Sequence, residues 1–374
     1  IADNLRMAPA SPSSTPATGL VQPLFDGPLD IVGDVHGELG ALQALLAHLG
    51  YDADGQHPQG RRLIFVGDLC DRGPDSPAVL RWVQALVAAG RAQAVVGNHE
   101  VNLMRSDAKD GAGWFFDSRV ERDTPKYAPF TRATTAERDT LQRAAADWPV
   151  ALERADLRVV HAAWDGAAIA QARALPLSGL VKAYDHYEEE ARQLARTDRL
   201  RERMAVELSA WGGDLESDSA APPFLLAHAQ NEANKQMRNP LKVLTSGVER
   251  QGTVPFFAGG KWRFVERVAW WDGYTDATPV VVGHYWRRLH PIDRGMVGKK
   301  DEDLFAHVPP LAWHGQRHNV FCVDYSVGGR WVARRDGQPP TRDFKLAALR
   351  WPERELMFDD GSRALTEGFG AAAA

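Results

Sequence analysis

A chain of 374 residues with 44% hydrophobic and 25% charged residues has the composition of an ordinary globular protein, long enough to bury a sizeable core. It holds no run of about 18 apolar residues, which excludes a helical membrane protein. A net charge of −5 and an isoelectric point near 6.2 argue against a nucleic-acid partner, which needs a basic surface to replace phosphate counterions. Two cysteines, Cys70 and Cys322, can build no disulfide framework and stand in no CxxC pattern, so a reducing, cytoplasmic compartment is the default expectation.

Residues 1–24 are rich in Pro, Ser, Thr and Ala and lack both a basic n-region and an apolar h-region, which predicts a disordered tail rather than a signal peptide. Met7 is a candidate natural start. From Leu29 to about Arg105 short apolar strands alternate with helical segments, the pattern of a parallel α/β sheet with crossover helices. Strands are expected at 29–33, 63–67 and 93–97, and helices at 39–49 and near 76–89, with a third starting at His99. Residues 106–148 are polar and Arg- and Thr-rich, with helical character late, and read as a surface insertion. LRVVHAAWD (157–165) returns to a buried strand. A long insertion then runs from 166 to 279, amphipathic and helical in front, more strand-like and aromatic behind, where NPLKVLTSGVERQGTVPFF and KWRFVERVAWW stand. After VVVGH come a His- and Pro-rich loop (289–318) and three expected antiparallel strands, NVFCVDY, RWVARR and FKLAALR; residues 361–374 are expected to be a tail.

Four times an apolar run ends in Gly and then presents an oxygen or nitrogen donor: LDIVGDVHG (29–37), LIFVGDLCDRGP (63–74), AVVGNHE (94–100) and VVVGH (280–284). In open α/β sheets ligands gather at the carboxyl ends of strands, so these turns should converge. Asp34 and His36, one residue apart, can face a single ion that Asp68 joins from the next strand; Asn98, His161 and His284 then supply a second, with Asp68 shared. Taken singly, each has a plainer reading: Asn98 as a helix N-cap, and the two histidines as hydrogen-bonded residues at strand ends. Glu100 reads as a structural residue below the site, and Cys70 as a small buried one.

GDVHG, GDLCDRG and GNHE resemble the GDxHG, GDxxDRG and GNHE signatures of the calcineurin-like metallophosphoesterases, in their phosphoprotein phosphatase branch. The resemblance extends to bacterial diadenosine tetraphosphatases and to the phosphatase domain of bacterial polynucleotide kinase-phosphatase. It implies a four-layer α/β/β/α sandwich with a mixed sheet, here one domain over 25–360 elaborated by the insertions at about 106–148 and 166–279. The chemistry follows from the residue types. Two cations about 3.5–4 Å apart activate a bridging water for in-line attack and clamp the phosphoryl oxygens. His99 is placed to be the general acid, oriented by Asp71, and Arg72 offers a planar fork to the phosphate. Family members place another arginine on the phosphate from the segment before the last histidine; Arg250, Arg263 and Arg267 qualify by position, and Arg267, next to VAWW, is taken. Carboxylate, amide and imidazole ligands without thiolate suit manganese, iron or zinc, and the resemblance to bacterial enzymes implies manganese. The expected function is hydrolysis of phosphomonoesters, on phosphoproteins or small phosphorylated molecules. A dinucleoside polyphosphate such as diadenosine tetraphosphate is the alternative substrate, and a metal-binding, non-catalytic adaptor the remote one. Trp164, Trp271, Tyr285 and Trp286 flank the expected ligands and could wall a pocket, whereas His48, His290, His307, His314 and His318 read as surface or loop residues.

Overall fold

The computed structural model describes residues 19–258, 260–298, 301–339 and 343–370; Met7, the expected tail over 1–18, and residues 371–374 lie outside them. The first strands are β1 (Val21–Pro23), β2 (Leu29–Val32), β3 (Arg62–Phe65), β4 (Ala92–Ala94), β5 (Ala151–Arg154) and β6 (Leu157–Val160). β7 (Glu249–Ala258) and β8 (Lys261–Arg267) form an antiparallel hairpin. β9 (Val280–Val282), β10 (Val320–Cys322), β11 (Ala347–Trp351), β12 (Glu355–Phe358) and β13 (Arg363–Leu365) follow.

These strands build two mixed sheets, one in the order β13-β12-β11-β2-β3-β4 and one in the order β1-β5-β6-β9-β10. β2, β3 and β4 run parallel, joined by the helices Leu39–Leu49 and Ser76–Ala88. All residues of β2 and of β9 are buried, as continuous apolar runs covered on both faces should be. Side chains alternate across the first sheet. Leu29, Ile31 and Ile64 share a buried cluster with Leu152, Val159, Val281 and Phe321 of the second sheet. Val32, Leu63 and Phe65 point the other way, onto Leu42, Leu45 and Leu46 of the first helix. That helix stops at Gly50, at φ 97°. The next starts where the Asp75 side chain accepts from the Ala78 N–H, with Pro77 in its first turn.

The structure corrects several expectations. The ordered chain begins before residue 25: Leu20 is fully buried and β1 pairs in parallel with β5, Val21 opposite Ala151. The apolar Leu20-Val21 pair was hidden in a Pro- and Ser-rich neighbourhood. Residues 361–370 are likewise no tail, since β13 pairs with β12 and the Phe369 ring meets Trp313 at 4.7 Å. RWVARR is a short helix, Trp331–Arg335, and only the FKLAALR segment forms an antiparallel pair, β11 lying between β2 and β12, while β10 joins the other sheet beside β9. NPLKVLTS is also helical (Pro240–Ser246), because Asn239 caps it by accepting from the Lys242 N–H and Pro240 opens it.

Away from the strand ends that carry the motifs, β2 holds a buried charge. Asp30 is fully buried and accepts from Arg61 Nε and Nη2 at 2.9 Å each and from the Tyr51 hydroxyl at 2.8 Å, with Arg350 Nε at 3.2 Å. Removing Arg61 takes its two N–H donors from Asp30 and leaves that buried charge to Arg350 and Tyr51. Arg61→Ala should cost about 3–5 kcal/mol in chemical denaturation, and Tyr51→Phe about 0.5–1.5 kcal/mol; equal losses in the two variants would contradict this assignment.

Candidate metal centre

Asp34, Asp68, Asn98, His161 and His284 all stand just past the carboxyl ends of strands: β2, β3 and β4 of one sheet, β6 and β9 of the other. The Asp34 carboxylate accepts the His284 N–H at 3.1–3.2 Å and so joins the two sheets at this point. Asp68 lies centrally. Its Oδ2 is 3.3 Å from His161 Nε2, 3.8 Å from His99 Nε2 and 4.0 Å from His36 Nε2, and His36 Nε2 is 3.9 Å from Asp34 Oδ2. Donor atoms of His36, Asp68 and His99 lie within 4.8 Å of one another, as do those of Asp68, His161 and His284. Of the expected ligands, His36, His161 and His284 share these groups with Asp68, the expected acid His99 joins the first group, and Asp34 meets it through His36.

The imidazoles are aimed by their far nitrogens. His36 Nδ1 lies 3.0 Å from the Cys70 carbonyl and His161 Nδ1 2.7 Å from the Val66 carbonyl. A carbonyl only accepts, so each Nδ1 carries a proton and each Nε2 is the atom turned to the cluster. Asn98 is the first residue of the helix Asn98–Met104 rather than its cap, which is Gly97. Its Oδ1 is buried and has no hydrogen-bond partner. Glu100, fully buried, accepts the N–H groups of Asp68 and Leu69 at 2.8 Å and of Gly97 at 2.9 Å, tying two of the turns together.

Burial acts to raise the Asp68 carboxyl, but the imidazoles of His161 and His99 outweigh it and hold the group well below the usual carboxylate range. Burial likewise lowers His161, and Asp68 outweighs it, pushing the imidazole up to about 10. The Asp34 carboxyl is pushed well above its ordinary value by burial, then by the Asp324 carboxylate. His36 is pushed well below its own by burial and by Arg72, leaving a neutral ring. The protein alone thus meets the Asp68 charge with imidazolium. Two divalent cations fit the same need, through carboxylate, amide and imidazole donors that include one buried oxygen with no other partner.

Arg72 places Nη1 2.7 Å from His36 Nε2 and Nη2 3.0 Å from His99 Nε2. The single lone pair of His36 Nε2 can serve this guanidinium or a cation, not both, so ion binding would free the fork. His99 Nδ1 meets Asp71 Oδ2 at 2.5 Å. His36, Asp68, Asp71, Arg72 and His284 all adopt φ between 46° and 73°, a conformation that residues other than glycine hold only when their surroundings impose it.

A cleft of about 900 Å³ opens above, with Asp68, Arg72, Asn98, His99 and His284 in its floor. Arg119 and Arg122 of the helix Asp117–Tyr127 line it, as do Phe256 and Phe257 of β7. Arg263 and Arg267 of β8 line it too; Arg267 lies 4.0 Å from Asp301. Arg250 is not among the lining residues and pairs with Glu266 in solvent. Of the four aromatic residues expected as pocket walls only Trp286 lines the cleft; Trp164, Trp271 and Tyr285 belong to the main core. His314 is no surface residue but is buried against Trp271 and Phe305. Two contributors escaped sequence reasoning. Asp324, whose Oδ2 accepts the Trp286 N–H at 2.8 Å, follows β10 without the glycine that marks the other turns. Trp114, whose indole N–H meets Asp71, lies in the irregular 106–148 stretch.

Residues 27–241 match the family model described as calcineurin-like phosphoesterase. The chain is 46% identical over 80 residues to an asymmetrical bis(5'-nucleosyl)-tetraphosphatase of Oceanobacillus iheyensis, an alignment covering 21% of this chain and 32% of that protein. It is 44% identical over 77 residues to a symmetrical bis(5'-nucleosyl)-tetraphosphatase of Ralstonia nicotianae, covering 21% and 24%. The matches thus span about a third or less of those relatives' length. Among solved structures, a putative diadenosine tetraphosphatase superposes with a TM-score of 0.39 at 15% identity, covering 93% of this chain and 97% of that one. A cold-active protein-tyrosine phosphatase of a Shewanella species gives 0.43 at 16%, covering 92% and 82%. With its three signature turns at the ends of β2, β3 and β4 and more than half its length matched, the chain belongs to the calcineurin-like phosphoesterase family.

Proposed function

We propose that the protein is a divalent-metal-dependent phosphoester hydrolase, built as one domain with 106–148 and 166–279 as insertions. The observation that carries this reading is the Asp68 carboxylate set between two histidine groups, with the Arg72 fork and the Asp71–His99 pair beside it in the floor of one cleft. Asp34, His36 and Asp68 would hold one ion, and Asp68, Asn98, His161 and His284 the other; manganese is the first candidate, iron or zinc the alternatives. Bound there, the cations supply the positive charge that acidifies water and polarises a phosphoryl group.

The chain's own groups do the rest. Arg72, once it leaves the two imidazoles, presents two parallel N–H donors to phosphoryl oxygens. His99 is oriented by its Nδ1–Asp71 bond, so that Nε2 delivers a proton to the departing oxygen. Arg267, in the cleft wall, is the proposed second phosphate cation, with Arg263 its neighbour on β8. A non-catalytic adaptor would have no use for the Asp71–His99 pair.

A phosphomonoester, on a protein or a small molecule, is the first substrate reading. A specific observation favours a second, a dinucleoside polyphosphate: beyond the floor the cleft carries Arg122, Arg263 and Arg267 together with Phe256, Phe257 and Trp286, which suit further phosphates and bases. The relatives' names point the same way.

Chelation should abolish hydrolysis of p-nitrophenyl phosphate and Mn²⁺ should restore it. Asp68→Asn should lose bound metal by elemental analysis, and His99→Ala should keep metal yet lose about 10²–10⁴ in kcat on phenyl phosphate, whose leaving oxygen needs a proton. Full activity in either variant contradicts the mechanism. Specificity constants for diadenosine tetraphosphate, a phosphopeptide and p-nitrophenyl phosphate decide the substrate class: a lead of about 100-fold for the dinucleotide, worth roughly 2.7 kcal/mol of transition-state binding, establishes the second reading.

A further inference from the structure

The Asp71–His99 pair has a third member. Asp71 Oδ2 meets His99 Nδ1 at 2.5 Å, and its other oxygen, Oδ1, accepts the indole N–H of Trp114 at 2.5 Å. Trp114 is 1% exposed, and its ring packs edge-on against Phe115 at 5.3 Å. It closes the short 3₁₀ turn Ala112–Trp114 inside the 106–148 insertion.

The same turn grips the next residue. The Gly111 carbonyl accepts the Arg72 N–H at 3.1 Å, and a Cβ on Gly111, itself at φ 91°, would stand 2.8 Å from Arg72 Cγ. Gly113 N–H donates to Asp123 Oδ2 at 2.8 Å, and Arg119 holds Asp123 Oδ1 at 2.6 Å, anchoring the turn to the helix Asp117–Tyr127. Asp71 and Arg72 need such support. Their φ values of 73° and 68° are unfavourable for side-chain-bearing residues, and a carboxylate bonded through one oxygen is loosely set about its last torsion.

We propose that Trp114 is a positioning residue for proton donation. Its N–H pins one oxygen of Asp71 so that the other faces His99 Nδ1 and His99 Nε2 is aimed at the leaving oxygen. This rests on the hydrolase reading above. As water bonds to phosphorus it gives one proton to solvent, the bond to the leaving oxygen breaks, that oxygen takes the Nε2 proton, and a solvent proton restores His99. The indole N–H transfers nothing.

Trp114→Phe keeps a ring and removes the donor. Kinetics on the full-length, Mn²⁺-loaded chain with two aryl phosphates test the role, because p-nitrophenolate leaves with little proton donation and phenolate does not. For Trp114→Phe, kcat on phenyl phosphate should fall about tenfold and on p-nitrophenyl phosphate less than roughly threefold, with KM unchanged for both. His99→Ala should show the same split, enlarged. Replacement of Trp114 by 3-benzothienylalanine, which keeps the bicyclic shape without N–H, should reproduce the split where Phe fails to fold. A wild-type enzyme active on both esters whose donor-less variants lose activity equally on both, or lose none, overturns the positioning role alone. A wild-type chain inactive on both esters overturns this inference, and inactivity on diadenosine tetraphosphate as well overturns the hydrolase reading with it.

Discussion

The site depends on holding one buried carboxylate, Asp68, where several imidazoles meet. An isolated buried carboxylate is costly unless opposite charge and hydrogen bonds surround it. His161 and His99 provide the first, and the His99 N–H, bonded to Oδ1 at 3.0 Å, provides part of the second. The backbone that presents it is itself unfavourable, with Asp68 at φ 52°. Glu100 answers that strain from below by collecting the N–H groups of Asp68, Leu69 and Gly97 in a single carboxylate. Two turns from neighbouring strands therefore move as one, and a displacement of one against the other would release the buried Asp68 and Leu69 donors.

The second constraint is that the proposed ligand groups come from two different sheets. Asp34 and His284 are joined directly, carboxylate to backbone N–H, and behind them Ile31, Ile64, Val159, Val281 and Phe321 pack into one buried cluster. Burying that apolar surface is what fixes the distance between the halves of the site, since hydrophobic packing at native density resists sliding by even a methylene. The strained conformations at His36, Asp71, Arg72 and His284 persist because elements on all sides over-determine them.

Much of this was legible in the sequence, for a reason the structure makes concrete. A Cβ on Gly97 would stand 2.2 Å from Asp68 Oδ1, and one on Gly283 would stand 2.1 Å from Asp34 Oδ1. Those glycines mark places where a neighbouring carboxylate crosses the chain, so the repeated run of apolar residues, glycine and donor is a trace of convergence itself. The helix Leu39–Leu49 was legible because its leucines repeat with helical period. What escaped has equally physical causes. Three residues of β1 gain their place from pairing with β5 and from the burial of Leu20, neither of which a polar neighbourhood reveals. RWVARR reads as an alternating strand until Arg334 is seen bonding Glu38 and the Arg72 carbonyl, long-range partners that favour a helix there. Trp271 and Tyr285 flank expected ligands in sequence yet turn into the core.

Floor and walls of the cleft obey different constraints. Floor residues are locked by shared hydrogen bonds, so almost any change there disturbs several groups at once. The walls come from the helix Asp117–Tyr127 and from the β7–β8 hairpin, whose exposed positions carry few such obligations. Wall positions outside such bonds, Arg122 among them, can therefore vary in charge and shape while the floor keeps its arrangement. The turn at 111–114 is the exception. There an insertion reaches beneath the wall to hold Asp71 and Arg72, so the first insertion is bound to the floor in a way that the hairpin, which meets the site through its cleft-facing side chains, is not.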